Sequence, residues 1–344
     1  MKRICLVSPR ANSLKNIMYD IESVVLKGKK QFLEITGYES NQQLSEKCEE
    51  VVYINALTPT WTRHVIVNLL KLVQMKPKVP SLFYFTLDGD LIKEMTPDWY
   101  LDYDNYIANS IASKERAERA GLTVRDVVYH AVIPEQIESI LHLKNNFRDF
   151  LKSQFGDRII FGVNESNLAR KGWELFMKAW AKASEQTDKI LLYALTNYNL
   201  TDYVSTYRNI YVDPSYGKMS RIEVLQKMNA VDVGIVPSLA EGFGMPLLEF
   251  NALGKPVIHG DFAPLNEISI VDNYKLKVVN FMKYKMESTR TDGIDYTFML
   301  YDVDEMAKTI VNIAENGYRE IDNEKVLEKF DANKLYMNLL NYAV

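Results

Sequence analysis

The chain has 344 residues, 47% hydrophobic and 25% charged, with a formal net charge of -4 at pH 7. This length suits two domains, each able to bury its own core, and the slight negative charge gives no electrostatic reason to expect a nucleic-acid partner. Cys5 and Cys48 form no CxxC and no Cys/His cluster, which argues against a disulfide framework or a zinc site and for a reducing compartment. The apolar run Ile4 to Val7 behind Met1-Lys2-Arg3 is too short for a signal-peptide core, and no stretch approaches a membrane span, so a cytoplasmic protein is expected.

Ile4 to Val7 reads as a buried strand ending in Ser8-Pro9, which puts the following loop, Arg10-Ala-Asn-Ser-Leu14, at the carboxyl edge of a parallel sheet. Residues 20 to 50 are polar and mixed, punctuated by Gly28 and Gly37. Val51-Val-Tyr-Ile54 is a second strand. From Trp61 to Met75, Val65, Leu69, Leu72 and Met75 recur at helical spacing, as do Ile66, Leu70 and Val73. Such a stripe is most often a core helix, and with Arg63, Lys71, Lys76 and Lys78 it would also suit peripheral contact with an anionic membrane.

Ser81 to Thr86 is a third strand, followed by Leu87-Asp88-Gly89-Asp90. Asp88-Gly-Asp90 is an Asp-x-Asp match of the kind that chelates a divalent cation beside a diphosphate. Asp102-Tyr-Asp104 and Asp302-Val-Asp304 match equally, so no metal ligand is assigned. Tyr106 to Ser110, a helix ending at Gly121 and a strand from Val127 to Pro134 follow, with His130 inside the last. The polar stretch to Lys152 suits an interdomain connection, and the boundary is placed there.

Beyond it, strands are expected at Arg158 to Val163, Ile190 to Leu195, Asn209 to Asp213 and Ala230 to Val236. Between them lie a helix behind Arg170-Lys171-Gly172-Trp173, carrying Leu175, Phe176, Ala179 and Trp180 on a helical repeat, and one from Ile222 to Met228. Tyr216 and Lys218 are candidates to border a bound base. Pro256 to Asp261 reads as a strand, residues 275 to 290 as a surface insertion bearing Lys275, Lys277, Lys283, Lys285 and Arg290, and Val326 to Tyr342 as a terminal helix. The alternation predicts an α/β protein with parallel sheets.

The chemistry concentrates in Pro237-Ser-Leu-Ala-Glu241-Gly-Phe-Gly-Met-Pro246-Leu-Leu-Glu249. Gly242 and Gly244 allow a tight turn, and Pro246 fits the first turn of a helix. The free N–H groups and positive dipole end of that helix suit phosphate oxygens. Glu241 and Glu249 flank the turn, and carboxylates accept hydrogen bonds from neighbouring hydroxyls, so the expected ligand is part phosphate and part sugar.

Ser238-x-x-Glu241-Gly242-Phe243-Gly244-x-Pro246-x-x-Glu249 resembles the retaining GT-B glycosyltransferases of family 4 (glycosyl transferases group 1). The resemblance implies a GT-B fold: two Rossmann-like domains facing a central cleft, with an acceptor domain at 1–152, a nucleotide-sugar donor domain at 153–325 and a helix at 326–344 crossing back. It implies that Glu249 holds the nucleotide ribose, that Glu241 lies near the transferred sugar, and that Ser238 and the backbone of Phe243, Gly244 and Met245 bind donor. Lys171-Gly172 matches the family's Lys-Gly, whose cation meets the charge building on the leaving phosphate. Arg170 would supply a second charge, because the family's arginine after the preceding strand is replaced in the neighbourhood of Asn164.

Asp88 stands where many members carry a histidine, and would either bond a sugar hydroxyl or cap its loop. His130 is either a site residue or a satisfied structural donor. The resulting expectation is metal-independent transfer of a hexose from a UDP- or GDP-linked sugar to a sugar, lipid or protein acceptor, with no cofactor besides the donor. A non-catalytic sugar-nucleotide-binding protein, an epimerase and a phosphorylase of the same fold remain as alternatives.

Overall fold

The computed structural model describes residues 3–9, 12–26, 31–35, 41–60, 62–74, 78–284 and 292–342. Met1, Lys2, Arg10, Gly28, Gly37, Trp61, Met75, Lys76, Lys285 and Arg290 lie outside the described residues. The chain divides into two compact units. Met1–Ile133, Lys283–Tyr296 and Phe330–Val344 form the first, and Pro134–Met282 with Thr297–Lys329 form the second.

The first unit contains β1 (Arg3–Val7), β2 (Gln31–Ile35), β3 (Glu50–Ala56), β4 (Ser81–Thr86), β5 (Asp90–Leu91), β6 (Tyr106–Ala108) and β7 (Val124–Val127). Six of these make a parallel sheet in the order β2-β1-β3-β4-β6-β7. Covered on both faces, β3 and β4 are almost wholly buried, which is why their sequences run apolar without alternation. The helix Arg63–Gln74 buries Val65, Ile66, Leu69 and Leu72. Its stripe is therefore core, and the reading of that stripe as a membrane-contacting face is corrected.

Cys5 in β1 and Cys48, just beyond the helix Asn41–Lys47, form a disulfide, and among the described residues no cysteine is free. This overturns the expectation of no disulfide and removes the basis for inferring a reducing compartment. Clustered spacing reveals frameworks and zinc sites; these two cysteines, 43 positions apart, meet only through the sheet.

The strand expected from Val127 to Pro134 is also corrected. β7 ends at Val127, and Val128 to Ile133, buried except for a half-buried Tyr129, lies against the C-terminal segment instead of within a sheet. There Val132 N–H donates to Phe330 O (3.0 Å), Ala332 N–H to Val132 O (2.9 Å), and Ala131 N–H to Tyr336 Oη (2.9 Å). The C-terminal segment is two helices, Asn323–Lys329 and Ala332–Leu340, because Asp331 interrupts the pattern and caps the second. The second packs on the helix Asn12–Leu26 within the first unit.

The polar stretch after Pro134 is no connector but two helices, Pro134–Leu141 and Asn146–Phe155, belonging to the second unit. Each buries a narrow stripe, Ile137 and Ile140 in one and Leu151 in the other, too few apolar positions to stand out in sequence.

The second unit contains β8 (Ile159–Asn164), β9 (Ile190–Leu195), β10 (Ile210–Val212), β11 (Val233–Val236), β12 (Val257–Gly260) and β13 (Tyr274–Leu276). All pairs are parallel and the spatial order is β10-β9-β8-β11-β12-β13. In order of appearance this is 3-2-1-4-5-6, the dinucleotide-binding arrangement, with its reversal between β8 and β11. β14 (Val278–Tyr284) carries mostly exposed side chains, and β15 (Ile294–Tyr301) pairs antiparallel with β5 through Ile294 and Asp295.

Among the described residues no helix is long and apolar enough to cross a membrane.

Candidate functional site

Open α/β sheets bind ligands beyond the carboxyl ends of their strands, where the strand order reverses, because the loops there diverge and leave a crevice. In the second unit this point lies between β8 and β11, which pair at Val233 with Phe161 and Gly234 with Gly162. Glu165 and the 3-10 turn Ala169–Lys171 follow β8; Pro237 through Glu241 follow β11. The two loops are joined by Leu239 N–H, which donates to Arg170 O at 2.7 Å. Gly172 permits this approach. Its φ is 68°, and a Cβ there would lie 2.1 Å from Pro237 O.

Lys171 is buried between these loops with two carboxylates, Glu165 and Glu241. Its ammonium contacts Glu241 Oε1 and lies 2.9 Å from Glu165 Oε2. Glu241 also accepts from Ser238 Oγ at 2.7 Å and pairs with Arg170 Nη1 at 3.4 Å. Ser238 Oγ lies 3.4 Å from Glu165 Oε1. The structure thus brings together Arg170, Lys171, Ser238 and Glu241, and adds Glu165.

The charges set one another. Burial pushes the Glu241 carboxyl up, but Lys171 and then Arg170, with their hydrogen bonds and that of Ser238, outweigh it and hold the group below its ordinary range. Glu165 has less support. Burial raises it, Lys171 offsets only part, and the neighbouring Glu241 charge adds to the rise. Burial alone would lower Lys171, yet the two carboxylates hold it above its usual value. Lys171 is therefore a cation at neutral pH, in a place where desolvation strengthens its field.

The turn after Glu241 delivers the other half of the motif. Gly244, at φ 102°, caps the helix Met245–Ala252, and a Cβ on it would come within 2.5 Å of Leu265 Cδ2. Pro246 occupies the first turn, where its missing N–H would have had no partner. Phe243 is buried under the turn. Glu249, one turn along, is buried and accepts from Arg221 Nη1 at 2.8 Å. Burial raises its carboxyl and Arg221 offsets part of that. Arg221 opens the helix Arg221–Met228, which Ser220 and Glu223 start with a capping box.

Tyr216 is half-buried beside this cluster, its phenol raised by burial first and by the Glu165 charge next, whereas Lys218 is exposed. Asn164 contacts Met228 Sδ.

Asp88 and His130 belong to the first unit. Asp88 is half-buried in the loop beyond β4, at the carboxyl edge of that sheet. Asp90 is bound to Arg119 at 2.6 Å, Asp302 caps a helix and Asp304 pairs with Lys182, so each has a structural partner. His130 is buried, with Nδ1 2.8 Å from Tyr84 Oη and the two rings edge to face. Tyr84 donates its proton to Val128 O at 2.8 Å, so His130 Nδ1–H is the donor to the phenol oxygen.

Sequence reasoning missed Glu165 and Arg221. The only signal for Glu165 was a carboxylate directly behind an apolar strand. For Arg221 the capping box announced a helix start but not which way its first side chain turns.

Residues 158–316 match the family described as Glycosyl transferases group 1. Over 347 aligned residues the chain is 25% identical to an uncharacterized glycosyltransferase 335 of Sulfolobus islandicus rod-shaped virus 1, covering 98% of this chain and 99% of that protein. Among solved structures it resembles Anabaena HepE in complex with UDP and glucose (TM-score 0.67, 13% identity, 99% of both chains). It also resembles the sucrose-phosphate synthase of Thermosynechococcus elongatus (TM-score 0.66, 12% identity, 99% of this chain and 98% of that one). The fold is GT-B, and together these matches support a GT-B glycosyltransferase, with most of the glycosyl transferases group 1 region in the second unit.

Proposed function

We propose that the chain is a retaining glycosyltransferase of family 4 that moves a hexose from a nucleotide diphosphate sugar to an acceptor without a metal ion. The observation that carries this reading is the buried Lys171 ammonium between the carboxylates of Glu165 and Glu241, at the strand-order reversal of the second sheet. Breaking a sugar–phosphate bond leaves more negative charge on the departing diphosphate than it had before. A fixed, desolvated cation is the group that stabilises such a change.

In this reading Lys171 and Arg170 meet the diphosphate, together with the amides of Phe243, Gly244 and Met245 at the start of the helix. Ser238 and Glu241 orient the sugar, and Glu249, fixed by Arg221, accepts from the ribose hydroxyls. The complexes of HepE with UDP and with UDP-glucose support a UDP-linked donor, with GDP-linked sugars as the other candidate. The first unit is assigned to the acceptor, since the donor motif lies wholly in the second. Asp88 is assigned in this reading to a sugar hydroxyl, and His130 to holding Tyr84, whose hydroxyl donates to Val128 O.

Calorimetric titration of UDP-glucose and GDP-mannose, each with and without EDTA, tests the proposal, followed by an assay for slow release of free sugar. Binding of one donor unchanged by EDTA, with slow hydrolysis to a sugar of retained configuration, is expected. Binding that EDTA abolishes would remove the metal-independent mechanism, and no binding of either would remove the donor reading of Glu241 to Glu249.

A further inference from the structure

We propose that a proton moves from solvent onto the Glu165 carboxylate as the donor diphosphate settles on Lys171, so that donor binding takes up a proton. This rests on the donor reading of the site and adds a group to it that the motif does not contain.

The charge count within the cluster is the starting point. Arg170 and Lys171 face Glu165 and Glu241, two cations against two anions. The diphosphate of a nucleotide sugar brings about two more negative charges, because each phosphorus carries one ester oxygen, the shared anhydride oxygen and one ionised oxygen, with no proton to exchange near neutral pH. Lys171 has three ammonium donors, and both carboxylates already draw on them. The third is left for the diphosphate, whose negative charge then competes with both carboxylates for the one cation. One carboxylate then loses the support that keeps it ionised.

The geometry selects which. Glu241 keeps donors of its own, Ser238 Oγ at 2.7 Å and Arg170 Nη1 at 3.4 Å. The single hydroxyl proton of Ser238 goes to Glu241, since its distance to Glu165 is 3.4 Å. Glu165 therefore depends on Lys171 alone for a short charged contact.

The charged and titratable groups that face Glu165 come from three loops, and once Lys171 is shared the cations among them oppose its protonation only weakly. From the turn before Gly172, Lys171 is the shared cation, and Arg170, paired with Glu241, lowers Glu165 less than Lys171 does; from the loop after β11, Glu241 repels; from the loop before the helix Arg221–Met228, Tyr216 offers a phenol and no charge. Burial already raises Glu165 in the ligand-free protein, while Glu241 is held down. Protonated, Glu165 becomes a hydrogen-bond donor beside the incoming anion and not a fourth negative group.

The test is calorimetric titration of UDP-glucose, and of GDP-mannose in parallel, into the full chain near pH 7 in buffers of low and high ionisation enthalpy. Wild type should show a binding heat that depends on buffer with the sign of proton uptake, up to about one proton per donor, and a Kd that rises with pH by at most about tenfold per unit. Glu165→Gln, a neutral isostere, should bind with no buffer dependence and a flat pH profile. Glu165→Asp, with an intrinsic pKa of about 3.9 against about 4.3, should take up less proton than wild type and serves if the Gln variant does not fold. Donor binding without proton uptake in wild type overturns this inference alone, as does uptake undiminished in both variants. No binding of either nucleotide sugar overturns the donor reading, and this inference with it.

Discussion

Arg221 Nη1 donates to Glu249 Oε1 across 2.8 Å, tying the first residue of one helix to the second turn of another. The pair is largely dry, with side chains 15% and 7% exposed. Removing one partner of such a pair strands the other charge, at a cost of about 3–5 kcal/mol. Arg221→Ala should therefore lower the melting temperature more than Glu249→Gln does, and adding Glu249→Gln to it should restore part of the loss. Because the stranded carboxyl has its pKa pushed further up, the folded state of Arg221→Ala binds more protons than the unfolded chain, and its deficit should shrink as pH falls. Thermal melts of the four proteins at two pH values check this.

The two motif carboxylates should separate kinetically. Glu249 is assigned to the ribose, whose contacts are the same before and during transfer, so Glu249→Ala should chiefly raise the donor KM. Glu241 is assigned to the reacting sugar, so Glu241→Ala should chiefly lower kcat, by an amount typical of one lost transition-state contact, about a hundredfold or more. Steady-state kinetics of both variants decide it, and wild-type kinetics in both would sink the assignment.

What the sequence revealed and what it hid have physical reasons. Val51 to Ile54, Ser81 to Thr86 and Ile190 to Leu195 were legible because strands covered on both faces must be apolar throughout. The turn at Gly244 was legible because its backbone requires particular residues: a glycine at φ 102° and a proline behind it. Val128 to Ile133 misled for the converse reason. Burial alone makes a run apolar, whether the run lies in a sheet or against a terminal helix. Glu165 and Glu241 are 76 positions apart and Cys5 and Cys48 are 43, and no local pattern records that folding joins them. Arg221 and Glu165 were single charges without periodicity. Their meaning comes from what stands opposite.

Gly172 faces Pro237 where the two site loops meet, and Gly172→Ala should show it. An L-residue in the left-handed region costs about 1–2 kcal/mol, and a Cβ 2.1 Å from Pro237 O forces the loops apart in addition. Because Lys171 precedes it directly, displacement should reach the ammonium and its carboxylates. The variant should lose stability and donor affinity together, measured by melting and by UDP-glucose titration. Gly217→Ala is the control: its φ is also positive, at 73°, but a Cβ there meets nothing within 4 Å, so its loss should be confined to the backbone cost.

The Cys5–Cys48 disulfide closes a loop across the first unit, with the bridged cysteines 43 positions apart. In the chain-entropy account such a closure stabilises by at most about 4 kcal/mol, acting on the unfolded chain. Reductant, or Cys5→Ser with Cys48→Ser, should lower the melting of the first unit and leave donor binding by the folded protein at its oxidised level, since the cluster around Lys171 lies in the second unit. Melts and UDP-glucose titrations with and without dithiothreitol separate the two effects.

Acid should weaken the second unit through His259. This side chain in β12 is buried, with Nδ1 2.9 Å from Gly260 O and Nε2 2.7 Å from Ser269 Oγ. The carbonyl can only accept, so Nδ1 carries the proton; Nε2 is then the acceptor and Ser269 Oγ the donor, an arrangement that holds for a neutral ring. Burial drives its pKa down from 6.5 to about 4, with the Lys275 charge adding and the Gly260 carbonyl opposing. Between these values the unfolded chain binds more protons than the folded one, so stability falls as pH drops from 6.5 toward 4. The loss by the acid end is about 3 kcal/mol. His259→Asn, which does not titrate, should be less stable at neutral pH but lack this component of the slope. Denaturant unfolding at a series of pH values measures it, and an unchanged slope in the variant would show that other groups carry the acid sensitivity.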